Sequence, residues 1–189
     1  MLKRLFSQSK TSRIAVVQYA RPVAGCADPS DPRHVAGFHL ALVAIEEDKI
    51  GHEWRILWQA ANRPTPAKDD IPAHVEWILD IREPINVGNS RLCLGGVIIG
   101  ELKNDEIDAL KQTIKETAIL VDGKLLLNHE NEAVFNCRKW TEMIITQRLV
   151  PRGWASSTIN SMQSLLPTLC EAAKDSARQR TPVFVEYKT

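Results

Sequence analysis

Apolar residues in the first half of the chain come in short runs with alternation. In the second half they recur at intervals of three and four. Ile14-Ala15-Val16-Val17-Gln18-Tyr19 predicts a first strand, and residues 21–35, with three prolines and Gly25, predict a loop. Phe38 to Ile45 is short and apolar, bounded by Gly37 and by the charged turn at residues 46–49, and reads as a second strand. Glu53 to Gln59 alternates Trp54, Ile56 and Trp58 with polar residues, which predicts a hairpin with the preceding strand across the turn at Gly51. Residues 62–72 hold three prolines and predict a loop. Val75 to Ile81 predicts a further strand of the same sheet, and Leu92 to Ile99, which contains the Gly95-Gly96 pair, a strand or extended segment leading to the turn at Gly100.

Beyond Gly100 the period changes. Asn104 is placed to cap a helix carrying Ile107, Leu110, Ile114 and Ala118 on one face, with Asp105 and Glu106 suited to its positive end. Residues 119–131 fit neither period. Cys137, Trp140, Thr141, Ile144, Ile145 and Leu149 recur at helical spacing behind Asn136, and Pro151 and Gly153 end that helix. A last helix is expected over residues 157–178 with a break near Pro167, then an edge strand over 183–187. Strands first and helices after predict an α+β domain: an antiparallel sheet from the N-terminal half packed against helices from the C-terminal half. Residues 1–13, basic and serine-rich without an acid, read as a flexible tail, although a transit peptide has the same composition. Residues 14–189 then form a single domain.

Composition narrows the partners. With 24 basic and 23 acidic residues there is no basic excess of the kind that nucleic acid or an anionic membrane selects. No run approaches the roughly 20 apolar residues of a membrane span. Cys26, Cys93, Cys137 and Cys170 are scattered, as are the five histidines, so neither a disulfide framework nor a metal site is expected. Reduced thiols in the cytoplasm and no cofactor follow as expectations. Oligomeric state stays open.

The chemistry concentrates at Asn136-Cys137-Arg138-Lys139. With Asn136 as N-cap, Cys137 lies in the first turn of a helix. There the unpaired N–H groups and the dipole favour a thiolate. The same N–H groups can hold an oxyanion. A nucleophilic thiol needs a base, and His39, inside an apolar strand, is the candidate. Phe38 and Leu40 point to the face opposite its own. Gln59, on the adjacent strand, is the polar residue best placed to orient the imidazole. Trp54, Trp58 and Trp77 line a pocket on the sheet or fill its core; the sequence allows both. His129 is held in reserve. The Gly95-Gly96 pair lacks the spacing of a phosphate loop.

An early strand bearing His39, an antiparallel sheet, then a helix opening with Asn136-Cys137 and followed by Trp140 resembles the circularly permuted papain-like group. That group includes the lecithin retinol acyltransferase-like proteins and the PPPDE-type peptidases. The chain also resembles a set of small uncharacterised proteins of filamentous fungi with the same strand histidine and Cys-Arg-x-Trp helix start. The resemblance covers roughly residues 36–150. It implies Cys137 as nucleophile, His39 as base, and Asn136, Trp140, Trp58 and Trp54 around the substrate. At the third polar position it supplies Trp58 or Gln59.

The expectation is therefore a thiol hydrolase or acyltransferase acting on a small-molecule or peptide acyl substrate. Two alternatives stand beside it. One is a non-hydrolytic enzyme of isomerase or cyclase type using His39 in a tryptophan-lined pocket. The other is a binding module without chemistry.

Overall fold

The computed structural model describes residues 11–20, 38–46, 54–67, 72–87, 90–127 and 135–188. It is an α+β fold with eight strands in one mixed sheet: β1 (Thr11–Tyr19), β2 (His39–Glu46), β3 (Trp54–Thr65), β4 (His74–Arg82), β5 (Cys93–Lys103), β6 (Ala118–Val121), β7 (Lys124–Leu127) and β8 (Phe184–Glu186). Their spatial order is β6-β7-β4-β3-β2-β1-β5-β8. Every pairing is antiparallel except that of β8 with β5. Three helices follow the long strands: α1 (Ile107–Lys115), α2 (Cys137–Ile144) and α3 (Met162–Gln179).

Side chains alternate across a strand, so each strand feeds two layers. Ile14 and Val16 of β1, Leu40, Leu42 and Ala44 of β2, and Ile56, Trp58 and Ala60 of β3 share a cluster with Trp140, Ile144, Leu165 and Leu169 of the helices. Ala15 and Val17, Ala41, Val43 and Ile45, and Leu57 form a separate cluster on the other face with Val87 and Cys93. The first is the helical face; the second is crossed by the chain after β4.

Several boundaries differ from expectation. β1 starts at Thr11, so residues 11–13 belong to the sheet rather than to a tail; Ser12 is buried and donates to Asn104 Oδ1 at 2.7 Å. Residues 1–10 lie outside the described ones. The same bond takes Asn104 away from capping. The turn starts at Lys103 instead, whose backbone N–H donates to Glu106 at 2.9 Å. β3 runs through Pro64, where a loop was expected. Among the described residues its pairing with β2 covers only Trp54 to Trp58, so the described neighbour of the Pro64 stretch is β4, and a missing donor is tolerated on the side away from it. Ala118 leaves the helix and opens the β6–β7 hairpin, which takes up the ambiguous stretch as far as Leu127; residues 128–131 lie outside the described ones. α3 passes through Pro167 unbroken, with the ring on the exposed side. Burial of Leu165, Leu166, Leu169 and Cys170 overrides the local preference.

Candidate active site

α2 begins as its sequence dictates. The Asn136 side chain accepts from the Lys139 N–H at 2.9 Å, and Cys137 occupies the first turn. Cys137 is 2 % exposed and belongs to the helical-face cluster with Leu40, Leu42 and Trp58. His39 precedes Ala41 and Val43 in a strand whose pairing with β1 is unbroken, so it lies on the other face. The expected Cys137–His39 pair is therefore not assembled: the backbone of the sheet stands between the two side chains. The physical reason is the strand period itself, since Phe38 and Leu40 face the helices and His39 cannot.

The expected tryptophan pocket dissolves for the same reason. Trp58 and Trp140 are wholly buried on the helical face, and Trp77 packs there edge-on against Phe135, ring centres 5.3 Å apart. The Trp54 side chain lies outside the described residues, as do Cys26, His52 and His129.

His39 instead ends a row of polar groups on the second face. Its Nε2 lies 2.6 Å from Gln59 Oε1. Gln59 Nε2 donates to Asp80 Oδ2 at 2.6 Å, and Arg82 Nε donates to the same oxygen at 2.9 Å. Gln59 and Asp80 are direct partners in the β3–β4 register. The protonation pattern follows from donor and acceptor capacity. An ionised carboxylate only accepts, so the Gln59 amide turns its NH2 to Asp80 and its carbonyl to the imidazole. Nε2 must then carry a hydrogen. Nδ1 has no hydrogen-bond partner among the described residues; it holds the lone pair in the neutral ring and a second N–H in the charged one.

A cleft of about 320 Å³ lies at this end of the row. Tyr19, His39, Gln59, Arg82 and Ser90 contribute its polar groups; Leu57, Ile85 and Val87 are among its apolar walls. Tyr19 is the β1 partner of His39, and the two ring centres are 6.4 Å apart. Burial, then the neighbouring Cys93, holds the Tyr19 phenol well above the ordinary range, against a smaller opposing pull from Arg82. Tyr19 is accordingly a neutral donor at physiological pH. Burial likewise pushes Cys93 up to about 11, partly offset by a backbone hydrogen bond from Gly95, so this thiol is no nucleophile.

The β5 bulge makes this arrangement possible. Val17 pairs with Gly96 and Tyr19 with Cys93, leaving one extra residue on β5. Gly95 absorbs it at φ +88°, and any side chain there would strike the Val183 carbonyl.

Gln59 was singled out from the sequence; Asp80, Arg82 and Tyr19 were not. A signal was present in β4, where Trp77, Leu79 and Ile81 alternate with Glu76, Ile78, Asp80 and Arg82. No group of His, Cys, Asp and Glu among the described residues is placed to hold a metal ion. No helix among them is long and apolar enough to cross a membrane. Comparison with family models, with curated proteins and with solved structures found no match to this chain.

Proposed function

We propose that the chain is a small-molecule enzyme that moves protons without a covalent intermediate, an isomerase or cyclase in type. The observation that carries this is the His39–Gln59–Asp80 chain: the imidazole lines a partly apolar cleft, and its Nδ1 has no hydrogen-bond partner among the described residues. In the proposed reaction Nδ1 takes a proton from a carbon beside a carbonyl. The ring becomes an imidazolium, its Nε2–H retained on Gln59 and its charge favoured by Asp80 through that amide. The electron pair moves to the carbonyl oxygen, for which Tyr19 is the nearby neutral donor. In a β,γ-unsaturated carbonyl compound, return of the same proton to the γ carbon shifts the double bond and completes an isomerisation with nothing gained or lost.

The order of elements supports a permuted papain-like ancestry: a strand histidine, then an Asn-capped cysteine helix packed on the sheet. Under that reading the frame persists while the chemistry has moved from the helical face to the other one.

The test is deuterium exchange, followed by proton NMR, over a panel of ketones and ketoacids in heavy water. Wild-type protein is expected to accelerate exchange of at least one member saturably. His39→Ala should lower that rate by about 10²–10⁴-fold, the span of a positioned acid–base group. Cys137→Ala should leave it unchanged. Loss of activity in Cys137→Ala with His39→Ala intact would return the site to thiol chemistry and sink this reading.

A further inference from the structure

A second cleft, of about 340 Å³, lies between the start of β5 and the end of α3. Ser90 lines both it and the His39 cleft, so the two adjoin. Cys93, Leu94 and Ser176 are among its lining, together with two cations, Arg91 and Arg180. Three other described arginines are engaged with acids. Arg13 pairs with Glu186, Arg82 with Asp80 and Arg178 with Asp175. Neither Arg91 nor Arg180 has an acidic partner among the described residues.

Arg180 carries a second, independent mark. It ends α3 in the left-handed conformation, φ +56° and ψ +28°. Glycine is the residue that takes this position without cost, and a longer side chain pays in backbone strain. A cation near a helix C-terminus is favoured by the dipole, but Arg178 in the last turn already provides one. The strain at 180 thus holds a guanidinium at the cleft in a place where the fold alone would prefer none.

We infer that the substrate of the His39 site carries an anionic group, carboxylate or phosphate, seated between Arg91 and Arg180. The inference rests on the acid–base reading of His39 for the word substrate, and on the second cleft alone for the anion. Two guanidiniums offer paired N–H donors matched to the oxygens of either anion. Ser90, at the junction, marks the path by which one molecule reaches from the anchor to the imidazole. The ligand is then a small carbonyl compound with a charged end.

The test titrates phenyl phosphate, benzoate and neutral benzamide into the full chain at fixed ionic strength. Arginine side-chain N–H resonances provide the readout. Saturable shifts at Arg91 and Arg180 are expected with the anions and not with benzamide. The tighter of the two anions identifies phosphate or carboxylate. Arg91→Met and Arg180→Gly should each weaken binding by tenfold or more. Arg180→Gly should do so with a thermal midpoint no lower than the parent's, because glycine relieves the strained backbone. A linear, unsaturable shift matching that of chloride, or unchanged affinity in both variants, overturns the inference. His39→Ala should keep anion binding. If anions bind but His39→Ala leaves proton exchange unaltered, the acid–base reading fails alone. If exchange depends on His39 while the arginine variants bind the anions as the parent does, the anchor fails alone.

Discussion

At the scale of single residues, the tautomer of His39 is set two residues away from the ring. Asp80 orients Gln59, and Gln59 orients the imidazole. Asp80→Asn tests this directly. An asparagine can donate as well as accept, so Gln59 is free to reverse and present its NH2 to Nε2. The hydrogen then moves to Nδ1, and the proposed base is lost. Imidazole ¹⁵N shifts of the parent should report Nε2–H, and those of Asp80→Asn a larger Nδ1–H fraction, with exchange activity falling by ten- to a hundredfold. An unchanged ¹⁵N pattern would break the link between Asp80 and the ring. Gln59 was legible in the sequence because it is a polar residue inside an apolar strand next to the histidine. The separation of Cys137 from His39 was half legible. The alternation of Phe38 and Leu40 with His39 was plain. Which face would receive the helices was not, because Ala41, Val43 and Ile45 are as apolar as Leu40, Leu42 and Ala44.

At the scale of elements, α2 shows a feature read for one purpose and used for another. Asn136 was expected to poise a thiolate; in the fold it starts a helix whose Cys137, Trp140 and Ile144 fill the core. Removing the cap should therefore cost stability rather than activity. Asn136→Ala is expected to lower unfolding free energy by about 1 kcal/mol, within a typical cap range of roughly 0.5–2. Chemical denaturation measures this, and proton exchange at the cleft should stay at the parent rate. Most elements were visible in the hydrophobic period, the long strands β1–β5 most of all. The misses share one cause, which is tertiary context. Ser12 claims Asn104, packing carries α3 through Pro167, and only strand pairing tells the β6–β7 hairpin from a fraying helix end.

At the scale of the whole molecule, the paired phenol and thiol of the second face tie stability to alkaline pH. The Cys93 thiol, about 11 in the fold against an ordinary 9.0, is protonated in the native state when the unfolded chain has already released its proton. The native state then binds more protons, so stability falls as pH rises from about 9 toward about 11. Two pH units of displacement correspond to roughly 2–3 kcal/mol as an upper figure. Tyr19, displaced in the same direction, extends the loss to higher pH. Denaturation midpoints measured between pH 8 and pH 10.5 should decline in the parent. They should decline less in Cys93→Ala, which keeps only the phenol. Equal slopes in the two proteins would show that this thiol is not displaced.

The place of β1 in the sheet has a consequence in time. One edge of β1 meets β2, which follows it closely; the other meets β5, most of a hundred residues later in the sequence. A chain emerging from the ribosome can form the β1–β4 meander early, and until β5 arrives it carries an open, apolar strand edge along Ile14 to Val17. Such an edge is a template for pairing with another chain. The interval between synthesis of Arg82 and synthesis of Lys103 is therefore the stretch of this protein's birth in which a chaperone, or slow dilute expression, decides between a finished sheet and an aggregate.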